Sequence, residues 1–217
     1  MTDKPATVQM YKVYIRAKPQ AIWDAITKPE WSERYAYGGR VSYELKKGGT
    51  YFHEASPEMK AGGLPDKVIL GQVNESDPPR KLVQTWHPQF TPDMIAEPPS
   101  RLTWEIREHE GGFCTLTLTH DTTGAPMVAG MVRGNDEPNQ GGGGWPWVLS
   151  DLKSLLETGK RMSGKPVHVT GLRTSGDPVA LPGCSTGHWT AARKVMRFPV
   201  IPVLVTGIQP CASAGTG

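Results

Sequence analysis

Cysteine is scarce in this chain of 217 residues. Its three cysteines, Cys114, Cys184 and Cys211, are widely spaced, and no C-x-x-C pair occurs. This spacing argues against a disulfide framework, a zinc ribbon and a thioredoxin-type redox site. Cys114 opens an apparent strand beside an aromatic residue, and nothing near it in sequence would activate a thiolate. We therefore expect a structural thiol there and not a nucleophile.

Long apolar runs are also lacking. The N-terminal sequence MTDKPATVQM is polar, so we expect no secretory signal. The most apolar late segment, residues 195–208, is too short and too interrupted by proline to cross a bilayer. These features predict a cytoplasmic protein without a membrane partner.

No strong charge of either sign marks the body of the protein. The chain carries 24 basic and 21 acidic residues, a formal net charge of +3. Residues 1–162 have a net charge of −1, whereas residues 163–217 hold five basic residues and one acidic residue. Without a basic patch in the body, we expect no nucleic-acid partner.

Recognisable metal-binding motifs are missing as well. The sequence contains no H-x-H or HExxH motif. The glycines at 141–144 precede a helix, but no Walker lysine follows, so a flexible hinge is favoured over a phosphate loop. We predict no catalytic residue, no metal and no cofactor.

The patterns that are present predict an α+β protein. Strand-like alternation begins at residues 8–16, where Val8, Met10, Val13 and Ile15 supply the apolar positions. Prolines 19 and 29 then open two short helices, residues 19–27 and 29–35. Six further segments read as antiparallel strands: residues 41–45, 50–55, 66–74, 81–87, 101–109 and 113–121.

After the last predicted strand, residues 122–144 read as a glycine-rich loop, and a helix then runs from about Trp145 to Thr158, with Gly159 as its C-cap. Its apolar residues recur at spacings of three and four: Trp145, Val148, Leu149, Leu152, Leu155 and Leu156. Such a stripe can cover one face of a curved sheet.

Four stretches together resemble a known superfamily. They are VYIRAKPQAIWDAITKPEW, GQVNESDPPRKLVQTWHP, PSRLTWEIREHEGGFCTLTLTHD and GGWPWVLSDLKSLLETG. In this order the chain is similar to the START-like, helix-grip (SRPBCC) superfamily, and within it to bacterial domains like the activator of Hsp90 ATPase homologue. The resemblance covers about residues 8–160.

The resemblance implies a helix-grip fold. In such a fold a curved antiparallel sheet of about six to seven strands wraps on a long C-terminal helix, with two short helices after the first strand. We assign this domain to residues 1–162. Residues 163–217 include fourteen glycines and prolines and lack periodicity, so we predict a poorly structured tail or a non-native extension such as a shifted reading frame.

The resemblance also implies a cavity between sheet and helix. Aromatic residues on the strands and the closing helix are the natural lining of a small-molecule site, although each of them alone is as well explained by core filling. We expect the ligand-binding residues to be Tyr43, Tyr51, His53, Trp86, Trp104, His120, Trp145 and Leu149.

Three functions follow as hypotheses. The first is binding of a hydrophobic small molecule in the cavity. The second is a co-chaperone-like interaction with an Hsp90-class ATPase, through a surface such as the charged face of Glu30, Glu33 and Arg34. The third is a cyclase or hydrolase on the same scaffold, which needs a histidine or carboxylate inside the cavity. Of these, binding is favoured over catalysis because the family pattern supplies no shared catalytic triad.

Overall fold

A computed structural model of the chain describes residues 7–135 and 142–162. Within them, seven strands and six helices follow one another along the sequence. The strands are β1 (Val8–Ile15), β2 (Val41–Tyr43), β3 (Thr50–Glu54), β4 (Lys67–Asp77), β5 (Lys81–Pro88), β6 (Ser100–His109) and β7 (Phe113–Asp121). The helices are α1 (Pro19–Thr27), α2 (Pro29–Ser32), α3 (Pro57–Ala61), α4 (Pro92–Ala96), α5 (Pro126–Arg133) and α6 (Gly144–Thr158).

All seven strands form one antiparallel sheet, in the order β1-β7-β6-β5-β4-β3-β2. The first strand, β1, pairs with the last strand, β7. All elements from α1 to β6 therefore lie in sequence between two strands that are neighbours in the sheet. Helix α6 lies against the sheet and contacts β1, α1 and α5. The fold is the predicted α+β helix-grip fold, with two short helices after the first strand.

The closing helix buries the predicted stripe. Trp145, Leu149, Leu152 and Leu155 are buried, and the helix ends at Gly159, whose φ of 74° suits glycine. Burying these side chains against the sheet stabilises the helix far more than intrinsic propensity does. The helix is therefore held by tertiary packing along the stripe.

Only some of the apolar residues of β1 point toward the core. Val8 and Met10 are exposed, whereas Gln9 and Ile15 are buried. The predicted strand is present, but two of its apolar positions, Val8 and Met10, face outward. The inner position of Gln9 is accommodated because its side-chain amide donates to the Ala129 carbonyl oxygen at 2.8 Å.

The region 122–144 is not a continuous loop. Helix α5 occupies residues 126–133 and buries Val128, Ala129 and Val132. Two other short helices, α3 and α4, also escaped sequence prediction, and α2 ends at Ser32 instead of residue 35. Each overlooked helix begins with proline, and those starting at 57 and 92 are capped by Ser56 and Thr91.

The described range ends at residue 162. Residues 136–141, before α6, and the predicted tail, residues 163–217 with Cys184 and Cys211, lie outside the described residues. None of the helices in the described ranges is long and apolar enough to cross a lipid bilayer.

Candidate functional site

A cavity of about 140 Å³ lies beside the first turn of α6. Strands β2 to β6 supply one part of its wall, and α5, α6 and the segment 35–38 supply others. The strands contribute side chains that point to one face of the sheet, as their two-residue alternation requires. The lining is mostly apolar and includes five tyrosine and tryptophan rings from strands and α6: Tyr43, Tyr51, Trp86, Trp104 and Trp145.

One side of the cavity carries a pair of tyrosines. Tyr43 of β2 and Tyr51 of β3 are direct cross-strand partners, and their rings stack with centroids 4.5 Å apart. The Tyr43 hydroxyl donates to Oε1 of Gln84, a fully buried residue of β5, at 2.9 Å. Burial raises the pKa of both tyrosines above the ordinary value, so both remain protonated hydroxyls at neutral pH.

Another side consists of three indole rings. Trp145 of α6 lies 5.9 Å from Trp86 and 5.6 Å from Trp104, measured between ring centroids, and all three residues are buried. The Trp104–Trp145 contact is edge-to-face, at 84°. This arrangement is favourable for aromatic quadrupoles and keeps the rings from collapsing into a parallel stack.

A hydrogen-bonded chain behind these rings fixes their orientation. The Trp145 indole N–H donates to Nδ1 of His120 at 2.9 Å, and His120 Nε2 lies 2.7 Å from the Ser100 hydroxyl. That hydroxyl donates to the Trp86 carbonyl oxygen at 2.7 Å. Since Nδ1 accepts, the ring proton belongs on Nε2, which donates to Ser100. The chain ties the start of α6 to β5, β6 and β7.

Burial keeps His120 neutral. The side chain is fully enclosed, and this desolvation lowers its pKa to about 3, with the Asp121 charge opposing the shift only weakly. A neutral ring is what the chain requires, because an imidazolium would have no lone pair to accept from Trp145. His120 thus acts by positioning a wall residue.

His53 reaches the cavity wall from β3. Its Nε2 is buried against the backbone of Gly39, where an added Cβ would stand 2.7 Å from that nitrogen. Burial lowers the pKa of His53, and the Gly39 backbone and the Glu54 charge oppose that shift. Glycine at position 39 is therefore required for the histidine ring to lie where it does.

The segment 35–38 is held by a buried carboxylate of α6. Asp151 is fully buried, and its two oxygens accept from the backbone N–H groups of Ala36, at 2.7 Å, and Met162, at 2.6 Å. Ala36 has a φ of 50°, a conformation that alanine rarely adopts. The hydrogen bond that the Ala36 N–H donates to Asp151 offsets the strain of that backbone and so places Tyr35 and Tyr37 on the wall.

Two glycines make the junction of α5 and α6 possible. A Cβ on Gly134 would lie 2.2 Å from the Gly143 carbonyl oxygen, and one on Gly144 would lie 2.4 Å from that of Val132. Both residues have positive φ. Backbone atoms pack directly against backbone atoms at this junction, so only glycine fits at Gly134 and Gly144. Gly141, the first glycine of the run that we predicted to be a flexible hinge, lies outside the described residues.

Six of the eight predicted ligand-binding residues lie on the cavity wall, namely Tyr43, Tyr51, His53, Trp86, Trp104 and Trp145. The other two, His120 and Leu149, are buried but are not wall residues. His120 lies behind Trp145 and Trp86, and Leu149 faces the core one turn along α6. Three other residues that we did not predict also line the cavity: Tyr35, Tyr37 and Met131.

Cys114 and two further strand histidines, His87 and His109, have ordinary structural partners. Cys114 is buried, its thiol donates to the Ala17 carbonyl oxygen at 3.1 Å, and desolvation raises its pKa. His109 contacts the Thr115 hydroxyl, and His87 contacts the Ile95 carbonyl oxygen. Within residues 7–135 and 142–162, no three His, Cys, Asp or Glu side chains are grouped so that they could hold a metal ion.

Comparison with known families assigns the domain. The family model described as "Activator of Hsp90 ATPase homolog 1-like protein" matches residues 16–157. The chain belongs to this family. The match includes all elements from α1 to β7, with the β6–β7 hairpin, and nearly all of α6. It confirms the family predicted from the four sequence stretches. No curated protein matches the chain.

Solved structures are similar to this chain at low identity. The Aha1 dimer from Colwellia psychrerythraea is 15% identical, with a TM-score of 0.50, and the match covers 71% of this chain and 99% of that one. CalU16 from Micromonospora echinospora is 20% identical, with a TM-score of 0.48, over 68% of this chain and 73% of that one. At these identities the likeness concerns the fold alone.

Proposed function

We propose that the protein binds a hydrophobic small molecule in the cavity beside α6. The observation that carries this proposal is an apolar space of about 140 Å³ that is walled by aromatic rings and lies against the hydrophobic core. Concave, mostly apolar spaces with a few polar groups are the usual small-molecule sites of proteins. The rings on its wall are supported from behind by hydrogen bonds, which keeps the space open.

Toluene is a suitable first probe because it is small and apolar. Titration of the ¹⁵N-labelled full chain should shift the indole N–H signals of Trp86, Trp104 and Trp145, whose rings line the cavity. Trp23 is buried outside the lining and serves as an internal reference. Absence of any shift at saturating toluene contradicts the proposal.

A matched pair of variants on α6 locates the binding. Val148→Phe places a ring in the cavity, since Val148 lines it, and should abolish the toluene-induced shifts. Ser150→Phe places the same ring on the exposed side of the helix and should leave them unchanged. Equal toluene binding by both variants would place the site elsewhere. Native mass spectrometry of protein purified without detergent should also retain a lipophilic species.

A co-chaperone-like role is a second candidate, and family membership is the observation that favours it. The charged residues that we proposed for such a surface have local contacts: Glu33 lies 3.5 Å from Arg40, and Arg34 lies over the Trp31 ring. The test is the ATP turnover of an Hsp90-class ATPase with and without the full chain. Unchanged turnover rejects this role without bearing on the cavity.

A further inference from the structure

The described cavity wall carries no charged side chain. The residues on it are aliphatic, aromatic, methionine, glycine, serine, tyrosine and histidine, and none is Asp, Glu, Lys or Arg. The buried carboxylate nearest to the wall, Asp151, already accepts from two backbone N–H groups of the segments it anchors. A charged group inside the cavity would therefore meet no counter-charge from these residues.

The ionisable wall residues are uncharged at neutral pH. Burial lowers the pKa of His53, which favours the neutral imidazole. Burial also raises the pKa of Tyr35, Tyr43 and Tyr51, and that of Tyr37 to about 12. The wall offers dipoles and ring faces but no net charge, so an ion entering it would lose its hydration without replacement.

The size of the cavity matches a single ring. Its volume is about 140 Å³. An apolar cavity of roughly 150 Å³ in an unrelated protein stays dry and binds benzene. Aromatic rings border the cavity from several elements: the stacked Tyr43–Tyr51 pair from β2 and β3, and the indole rings of Trp104 and Trp145 from β6 and α6. A flat six-membered ring is complementary to both the volume and this aromatic lining.

We infer that the part of the ligand inside the cavity is one uncharged six-membered ring, and that any charged group of the ligand stays outside on a tether. This inference rests on the proposed function, because it describes the occupant of the same cavity. It separates two kinds of amphiphile: a ring with a charge attached directly to it is rejected, whereas a ring joined to a distant charge is accepted.

Two probes of equal size test the charge requirement on the unaltered full chain. They are 4-methylacetophenone and p-toluate, which have the same number of heavy atoms and differ in charge. At pH 7 we expect the ketone to bind and p-toluate to bind at least about a hundredfold more weakly, since the carboxylate would be desolvated without a partner. A third probe, 6-phenylhexanoate, carries its carboxylate at the end of a five-carbon chain and should bind like toluene.

Each outcome has a distinct meaning. Equal binding of p-toluate and the ketone inside the cavity overturns the inference but leaves hydrophobic binding in place. If toluene binds but 6-phenylhexanoate does not, the claim that a charged group can stay outside on a tether is wrong. Failure of toluene and the ketone alike overturns the proposed function and this inference with it. The indole N–H signals of the wall tryptophans report all three.

A charge placed on the wall should weaken the discrimination against p-toluate. Met131 lines the cavity from α5 and is half-buried. Met131→Lys should raise the affinity for p-toluate at least about tenfold, because an ammonium group would pair with the carboxylate. Met131→Leu is the matched control and should leave p-toluate excluded. If the folded lysine and leucine variants bind p-toluate with equal affinity, the wall does not exclude p-toluate for lack of a counter-charge. The probe series on the unaltered chain tests the inference even if neither variant folds.

Discussion

The two halves of α6 face different kinds of interior. Its first turns, with Trp145 and Val148, border the cavity. Further along, Leu152 and Leu155 are buried in the core with Ile15, and none of the cavity lining comes from this part of the helix. One helix thus covers a hollow region and a solid region of the same sheet.

The side chains of the two regions are stabilised differently. In the solid region, aliphatic side chains fill space against one another. In the hollow region, large rings are fixed by directional bonds, such as that from Trp145 to His120 and that from Tyr43 to Gln84. Rings oriented by hydrogen bonds can border a space that freely rotating aliphatic chains would fill. The hollow region is therefore built from polar contacts behind an apolar wall.

A pair of leucines gives the largest expected contrast in stability. Leu152→Ala, in the solid region, should lower the free energy of unfolding by about 4 kcal/mol, because it removes packed methyl groups and leaves a new cavity. Leu102→Ala, on the cavity wall, should cost about 2 kcal/mol, because one side of Leu102 already faces empty space. Urea denaturation measures both, and equal losses would mean that the two regions are packed alike.

The link between the two regions should be nearly as sensitive. Asp151→Ala leaves the N–H groups of Ala36 and Met162 without their carboxylate, and we expect a loss of about 3 kcal/mol. Since the Ala36 segment lines the cavity, toluene binding should weaken too. Exposed Asp93→Ala is the control and should change neither quantity. Unchanged toluene affinity in a folded Asp151→Ala protein would show that the wall does not depend on this contact.

His120 makes the hollow region sensitive to acid. Its folded pKa is lowered from the ordinary 6.5 to about 3, so its contribution is complete above pH 6.5 and is lost as the pH falls through that window. Between pH 7 and pH 5 this one group should remove about 2 kcal/mol from the free energy of unfolding. His53, whose pKa is also lowered, adds a loss of the same sign.

The variant His120→Gln isolates this contribution. It should be less stable than the unaltered protein at pH 7, and its stability should depend less on pH between 7 and 5. Urea denaturation of both proteins at pH 7 and at pH 5 shows how much less the free energy of unfolding changes with pH in the variant. A slope as steep in the variant as in the unaltered protein would contradict a buried, neutral His120.

The smallest effect should come from the exposed side of the solid region. Lys153 forms an exposed ion pair with Glu157, one helical turn away. Lys153→Ala should change the free energy of unfolding by less than about 1 kcal/mol, since such pairs contribute little in water. Toluene affinity should stay the same. A larger loss would mean that the bond from Lys153 to the Tyr14 carbonyl oxygen also holds β1 to α6.

Period-based patterns predicted the solid region well. The leucine stripe of α6 and the alternation in β6 and β7 follow directly from helical and strand spacing, and both are buried as expected. Alternation also places Gln84 on the same inner face as Leu82 and Trp86, a signal that our sequence analysis did not use. Proline at the first helical position, which marked α1 and α2, would likewise have found α3, α4 and α5.

The hollow region could be predicted only in part. The wall rings on strands were identified because they alternate with outward-facing residues. Tyr35 and Tyr37 lie in a turn without periodicity, and their position depends on Asp151, more than a hundred residues away in sequence. In the same way, no local pattern reveals that His120 supports Trp145 and does not itself line the cavity. Contacts between distant segments decide which side chains border a space.

The most direct test of the central claim is the toluene titration read at the indole N–H signals. Binding in the cavity predicts concerted, saturable shifts of Trp86, Trp104 and Trp145, which line it, and none at Trp23 and Trp31, which do not. Those shifts should disappear in Val148→Phe. Shifts confined to Trp23 or Trp31, or no saturable shift at all, would contradict the account of this cavity as a ligand-binding site.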